Sequence, residues 1–383
     1  MSHFNAGEFI RQLKALRGLG STTLTNGFRA QSPLIETPDF GANPGGLKMF
    51  SFLPADLGPK SPLVVVLHGC TQTASGYDVG TGWSTLADRY GFALLMPEQQ
   101  RTNNANGCFS WFNPEDCERG MGEACSIREM IALMTTKNSI DNDRIFITGL
   151  SAGGAMTSVM LATYPEVFAG GAIIAGLPFG AASNVQEALN GMRQTAPLEA
   201  SELGDMVRSA SRHSGPWPKV SVWHGDRDLT VNPSNSDAIL KQWLDVHGLP
   251  TTPMAVDKVD GHKHAIWWNA EGETIVEFFT IAAMAHGAPL GLSESDEYFG
   301  ASGPFLIDAG ISSTYHIATF FALTERVHRA KSADTRVLMP STDVKVAWRE
   351  TRSDTDHPYR QFSKIDVGAV ITKALIAAGL MGK

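Results

Sequence analysis

The sequence predicts an α/β fold, a mostly parallel central sheet with helices on both faces. Three observations carry that expectation. Short apolar runs alternate with helical patterns over most of the chain, the order that builds βα units. Several of those runs are apolar without interruption, as strands buried on both faces are. One strand-to-helix turn in the middle of the chain is built almost entirely of small residues. With 383 residues, 43% of them hydrophobic, the chain is long enough to bury a full core.

Taken in order, "MSHFNAGEFIRQLKALRGLG" reads as a short amphipathic helix. It has no continuous apolar stretch and no small-residue cleavage site, so a secretory signal is not expected there. "LVVVL" (63–67) is a strand bounded by Pro62 and His68-Gly69, and "GFALLMP" (91–97) is a second. "CSIREMIALMTTK" (125–137) is a helix with Ile127, Met130, Ile131 and Met134 on one stripe. "RIFITG" (144–149) is a third strand, and 152–164 is its helix, stopped before Pro165. "FAGGAIIAG" (168–176) is a fourth strand. "KVSVWHG" (219–225) is a fifth, followed by a helix from about residue 233 to 247. "TIVEFFTIA" (274–282) is a sixth, and the segment around His264 pairs with it as a hairpin through the turn "NAEGE". Residues 177–218 carry no strand signal and are a candidate cap over one end of the sheet. Residues 330–383 open as a charged, proline-containing loop and end in an amphipathic helix. The expected division is a helical or extended segment (1–45), a main domain (46–325) with its cap at 177–218, and a C-terminal extension (326–383).

The net charge of −8 argues against a nucleic-acid or anionic-membrane partner, which would want a basic face. The longest apolar stretch, near 168–182, contains Pro178 and is too short to span a membrane. Cys70, Cys108, Cys117 and Cys125 allow three pairings. Without a C-x-x-C pair a structural zinc site is not expected. Two readings stand: buried free thiols, or one or two disulfides bracing loops around a site.

The small-residue turn is Gly149-Leu150-Ser151-Ala152-Gly153. A G-x-S-x-G sequence after a strand and before a helix is the nucleophile elbow, whose tightness leaves room only for small side chains two residues either side of the serine. In a parallel sheet that position is the ligand-binding edge. A serine hydroxyl is a weak nucleophile and needs a base, an orienter for the base, and oxyanion donors. For donors, "LHGCTQ" (67–72) follows the first buried strand, and the backbone N–H groups of Cys70 and Ala152 are assigned. For the acid, the loop "GDRDLTVNP" offers Asp226 and Asp228. Asp228 lies further into the loop and is preferred, with Asp226 as a turn residue. For the base, the order Ser–Asp–His requires a histidine after Asp228. His286 follows the last strand by four residues and is chosen, with His264 in reserve. His262 and His264 precede that strand and are expected at its far end from Ser151 or on its flank.

These residues carry a resemblance. "VVVLHGCTQTASGYDVGTGWSTLADRYGFALLMPEQ", "CFSWFNPEDCERGMGEACSIREMI", "DRIFITGLSAGGAMTSVMLATYPEVFAGGAIIAGLPFGAA", "VWHGDRDLTVNP" and "MAHGAPLG" resemble the polyhydroxybutyrate depolymerase family of esterases, which includes feruloyl and acetylxylan esterases on the α/β-hydrolase fold. "GPFLIDAGISSTYHIATFFAL" looks like that family's last core helix. The resemblance spans about residues 45–325. It implies Ser151, Asp228 and His286 as a catalytic triad, and a substrate face near Trp111, Phe112 and Glu123, to which His68 and Gln72 are added. It also suggests a secreted protein.

The expected function is serine ester hydrolysis on a small or oligomeric ester, with no cofactor and no metal. Trp83, Phe109, Trp111, Phe112, Trp217 and Trp223 are candidates to line the acyl pocket, with core packing the plainer role, above all for Trp223. Two alternatives use the same chain: a non-catalytic or peptidase-type protein on this scaffold, and metal chemistry on His224, Asp226, Asp228, His262 and His264. Against the metal there is no helical His-x-x-x-His spacing.

Overall fold

The computed structural model describes residues 31–292 and 299–324. The amphipathic helices expected near the two termini lie outside these residues.

Twelve strands occur among the described residues: β1 (Ile35–Thr37), β2 (Lys48–Phe52), β3 (Ser61–Leu67), β4 (Ala93–Glu98), β5 (Ile140–Leu150), β6 (Gly170–Ile174), β7 (Lys219–Gly225), β8 (Ala255–Val259), β9 (His262–Trp268), β10 (Thr274–Ile281), β11 (Ala288–Leu290) and β12 (Leu306–Asp308). The first ten form one sheet in the order β1-β2-β4-β3-β5-β6-β7-β10-β9-β8. The six strands from β4 to β10 are mutually parallel. β1 and β2 at one edge, and β9 and β8 at the other, run antiparallel. β11 and β12 make a small parallel pair beside the main sheet. All six predicted strands are present, and the expected hairpin is β9–β10, closed across the turn by Asn269 and Glu273.

The helices are α1 (Ala74–Thr81), α2 (Trp83–Tyr90), α3 (Pro114–Cys117), α4 (Gly122–Lys137), α5 (Ala152–Thr163), α6 (Val185–Arg193), α7 (Ala200–Ser209), α8 (Ser234–Val246) and α9 (Ser313–Phe320). The alternation of β3 shows why the sheet needs cover on both sides. Leu63, Val65 and Leu67 enter the core under α4, α5 and α8, whereas Val64 and Val66 enter the core under α2 and α9. Each such side chain, fully buried, contributes roughly 1.5–3 kcal/mol relative to exposure. The predicted stripe on α4 faces the first of these cores: Ile127, Met130, Ile131 and Met134 are all buried. On the second, Trp223 stacks on Phe279 with ring centroids 3.8 Å apart, so it is a core residue. Residues 177–218 contain α6 and α7 and no strand. Among the described residues no helix is long and apolar enough to cross a membrane.

Candidate active site

Ser151 sits between β5 and α5 at the carboxyl edge of the sheet. Its backbone takes φ 58° and ψ −117°, a left-handed value that costs a non-glycine residue free energy and persists only where the surroundings hold it. They do so closely. A Cβ on Gly149 would meet the Gly153 carbonyl oxygen at 2.4 Å, and one on Gly153 would meet the carbonyl oxygens of Leu67 and His68 at 2.4 and 2.6 Å. The bare flanks of the serine are therefore a steric condition of the turn. α5 is buried along its whole length, and Ser151 is its N-cap residue.

β10 ends at Ile281, and the following loop is tied to the loop after β7. Asp226 N–H donates to the Ile281 carbonyl, Arg227 N–H to the Met284 carbonyl, and the Asp226 carboxylate accepts from Ala283 N–H at 2.7 Å. Asp226 is thus a brace for the loop that delivers His286. The His286 ring stands with Nε2 2.8 Å from Ser151 Oγ and Nδ1 2.7 Å from Asp228 Oδ2. Asp228 Oδ1 accepts from the N–H groups of Thr230 and Val231 at 2.8 and 2.9 Å. Burial pushes the Asp228 pKa up, but the attraction of His286 and the hydrogen bonds from His224 and His286 outweigh it and hold the carboxyl well below its usual range. An ionised Asp228 requires the proton on His286 Nδ1, which leaves Nε2 free to accept from the serine hydroxyl.

The loop after β3 faces Ser151 from the other side. Thr71 N–H donates to the Asn106 carbonyl at 2.7 Å, Gln72 Oε1 accepts from Gly69 N–H at 2.9 Å, and Gln72 Nε2 donates to the Pro304 carbonyl at 3.3 Å. Cys70 is joined to Cys108 by a disulfide, while Cys117 and Cys125 are free. The reading of one or two disulfides therefore holds with one, and the two thiols left free are half-buried rather than buried. The N–H groups of Cys70 and Ala152 donate to no other described residue, the condition for an oxyanion hole with room for its anion.

A cavity of about 120 Å³ opens beside Ser151 and His286. The Cys70–Cys108 disulfide, Trp111, Phe112, Leu189 and Phe305 form much of its wall, and among the described residues no Lys, Arg, Asp or Glu side chain lines it. Trp111 and Phe112, expected at the substrate face, are on it. His68, Gln72 and Glu123 are not: His68 and Glu123 are buried, and Gln72 is half-buried outside the cavity. The His68 ring is fully buried, with Nδ1 2.8 Å from the Gly69 carbonyl and Nε2 accepting from Gln99 N–H. Burial, only partly offset by that carbonyl, lowers its pKa to about 4, so it is neutral at pH 7. Glu123 accepts from Ser110 N–H at 2.9 Å and from Gln99 Nε2, which anchors the backbone just before Trp111. Burial raises its pKa to about 8, with Asp116 adding to the rise and the Ser110 and Gln99 bonds opposing it.

Of the remaining aromatic candidates, Trp83, Phe109 and Trp223 are fully buried in the core, and Trp217 packs at its edge. His262 and His264 lie on the flanking strand β9, near the same end of β10 as the site rather than at its far end; His264 is opposite Phe279. His264 is engaged by Asp257 and Glu277. Among the described residues no three His, Cys, Asp or Glu side chains are grouped as a metal site. Sequence reasoning missed the wall formed by Val185, Ala188, Leu189 and Met192 of α6. Their i, i+3, i+4, i+7 spacing was the available signal.

Residues 50–259 match the family described as "Esterase PHB depolymerase". The chain is 42% identical over 291 residues to the poly(3-hydroxyalkanoate) depolymerase C of Paucimonas lemoignei, covering 76% of this chain and 70% of that one. It is 33% identical over 230 residues to feruloyl esterase B of Thermothelomyces thermophilus, covering 57% and 77% of the two chains. It is 29% identical over 281 residues to a probable acetylxylan esterase A of Aspergillus fumigatus, covering 70% and 74%. Among solved structures, an acetyl xylan esterase from Aspergillus awamori superposes with a TM-score of 0.61 at 25% identity, covering 67% of this chain and 94% of that one.

Proposed function

The chain belongs to the esterase PHB depolymerase family, has the α/β-hydrolase fold and is a carboxylic-ester hydrolase, and from this we propose that Ser151, His286 and Asp228 are its catalytic triad and that it works through an acyl-enzyme. The observation that carries the reading is the unbroken hydrogen-bonded line from Asp228 through His286 to Ser151, two bonds of 2.7 and 2.8 Å. His286 Nε2 takes the hydroxyl proton as Ser151 Oγ attacks the ester carbonyl. Asp228 holds the ring and stabilises the imidazolium. The developing oxyanion is met by the N–H groups of Cys70 and Ala152; one such donor contributes about 3 kcal/mol of barrier lowering. The carbonyl re-forms, and His286 returns the proton to the departing alcohol. Water, activated by the same imidazole, then releases the acid and restores the serine.

The cavity supports a short, neutral acyl group. It lies well below the roughly 300–1,000 Å³ of pockets that hold drug-sized ligands, and among the described residues it offers no charged partner for an ionised one. A hydroxybutyryl unit suits that size and polarity better than a feruloyl group, although the Trp111–Phe112 edge gives an aromatic acyl a surface to meet. The test is a panel of p-nitrophenyl esters, feruloyl esters and hydroxybutyrate oligomers, with the parent beside Ser151→Ala. Turnover of short neutral esters is expected, falling at least about a thousandfold in the variant. Equal rates in the two proteins would discard the triad.

A further inference from the structure

We infer that His224 is a positioning residue for Asp228, a second imidazole on the carboxylate oxygen that His286 also uses; the inference rests on the triad proposed above. His224 lies on β7, four residues before Asp228, and is 2% exposed. Its Nε2 stands 2.9 Å from the Val231 carbonyl oxygen and 3.3 Å from Asp228 Oδ2. A carbonyl oxygen only accepts, so Nε2 carries the proton and shares it between the two oxygens. Asp228 is then held by four donors: the N–H groups of Thr230 and Val231 on Oδ1, and the imidazoles of His224 and His286 on Oδ2. Among the described residues, the titratable groups facing the carboxylate are these two histidines.

The other nitrogen makes the role specific. His224 Nδ1 is buried and has no hydrogen-bond partner among the described residues. An orphaned buried acceptor costs free energy that an apolar side chain of similar size would not, so packing alone favours a leucine or phenylalanine at this position. What the imidazole supplies is its Nε2–H. That group cross-links Asp228 to Val231 and draws charge from the oxygen that His286 also uses. Removing it leaves His286 as the one described donor on Oδ2, so that more of the carboxylate's charge bears on the imidazolium formed there.

The experiment compares the parent with His224→Leu, His224→Phe and His224→Gln, the last of which keeps an N–H donor. Ser151→Ala serves as the reference for the triad itself. Rates on p-nitrophenyl butyrate are measured from pH 5 to 9 on protein taken from the folded monodisperse peak of gel filtration with a parental circular-dichroism spectrum, so that misfolded protein is not counted. The Leu and Phe variants are expected to lose kcat ten- to hundredfold with KM within about twofold. Their acid limb of kcat/KM should move to higher pH, and Gln should restore both. A Leu or Phe variant with parental kcat and an unmoved acid limb overturns the inference while leaving the triad intact. A Gln variant no better than Leu also overturns it, because the donor is then not what matters. Retention of activity in Ser151→Ala instead removes the reading beneath it.

Discussion

Cys70 and Cys108 tie the proposed oxyanion donor to the wall of the acyl cavity, because the residue whose N–H is assigned to the oxyanion is itself one end of the disulfide. The bridge joins residues 38 apart; closing a loop of that length is worth roughly 3–4 kcal/mol to the folded state. It also holds a strained backbone, since Thr71 next in sequence has φ 67°. A Cys70→Ser/Cys108→Ser double variant is therefore expected to melt several degrees lower and to lose about tenfold or more in kcat on a short ester, with a smaller change in KM. Calorimetry and steady-state rates, with and without a phosphine reductant on the parent, check this. Full kcat in the double variant would separate the bridge from the oxyanion geometry. Ser151, Asp228 and His286 were legible as single residues because each follows a predicted strand by a short, fixed offset in a known order. The positions of His68, Gln72 and Glu123 were not. Proximity to a strand end says nothing about side-chain direction, and the His68 ring turns inward to meet Phe109 at 5.0 Å.

The central strands and their helices were readable for a related reason. A strand buried on both faces is a continuous apolar run whose pattern survives without its neighbours. The edge strands β1, β2 and β8 are short and partly exposed, so no run or clean alternation announces them. The cap was legible as a segment without strands but not as a wall, since nothing local to α6 says which way its stripe faces. That stripe makes a prediction that belongs to the helix. Leu189 is 8% exposed and forms part of the cavity lining with Ala188 and Met192. Leu189→Ala would lengthen the cavity without touching Ser151 or His286. The ratio of kcat/KM for p-nitrophenyl octanoate over butyrate is expected to rise several-fold. The stability cost should sit near the lower end of the roughly 2–5 kcal/mol usual for such truncations, because the side chain already borders open space. An unchanged chain-length preference would place the acyl group elsewhere than against α6.

Across the whole molecule, groups that titrate differently when folded set the pH of greatest stability, and their signs can be worked out one by one. Burial, partly countered by the Gly69 and Pro218 carbonyls respectively, lowers the pKa values of His68 and His247 from 6.5 to about 4. Between those values the unfolded chain binds more protons, so stability is lost on acidification, on the order of 3 kcal/mol for the fully buried His68. Glu123 acts in the opposite sense. Burial raises it from 4.5 to about 8, so over that window the folded state holds a proton that the unfolded chain has released, and stability falls as pH rises. For His264, burial is outweighed by Glu277 and Asp257, and its pKa is raised. Its contribution is complete below 6.5 and lost as pH climbs through the folded value. Between pH 4.5 and 6.5 the two lowered histidines outweigh the one carboxyl; above 6.5 Glu123 and His264 act together. Stability should therefore peak near pH 6.5 and decline on both sides, measurable as Tm by calorimetry at pH 5, 6.5 and 8. Glu123→Gln isolates the alkaline side: whatever its absolute Tm, its decline from pH 6.5 to 8 should be shallower than the parent's. A parent Tm that keeps rising to pH 8, or an equally steep decline in the variant, would mean that Glu123 is already ionised in the folded protein. The anchor on the backbone before Trp111 would then be a carboxylate rather than a carboxylic acid.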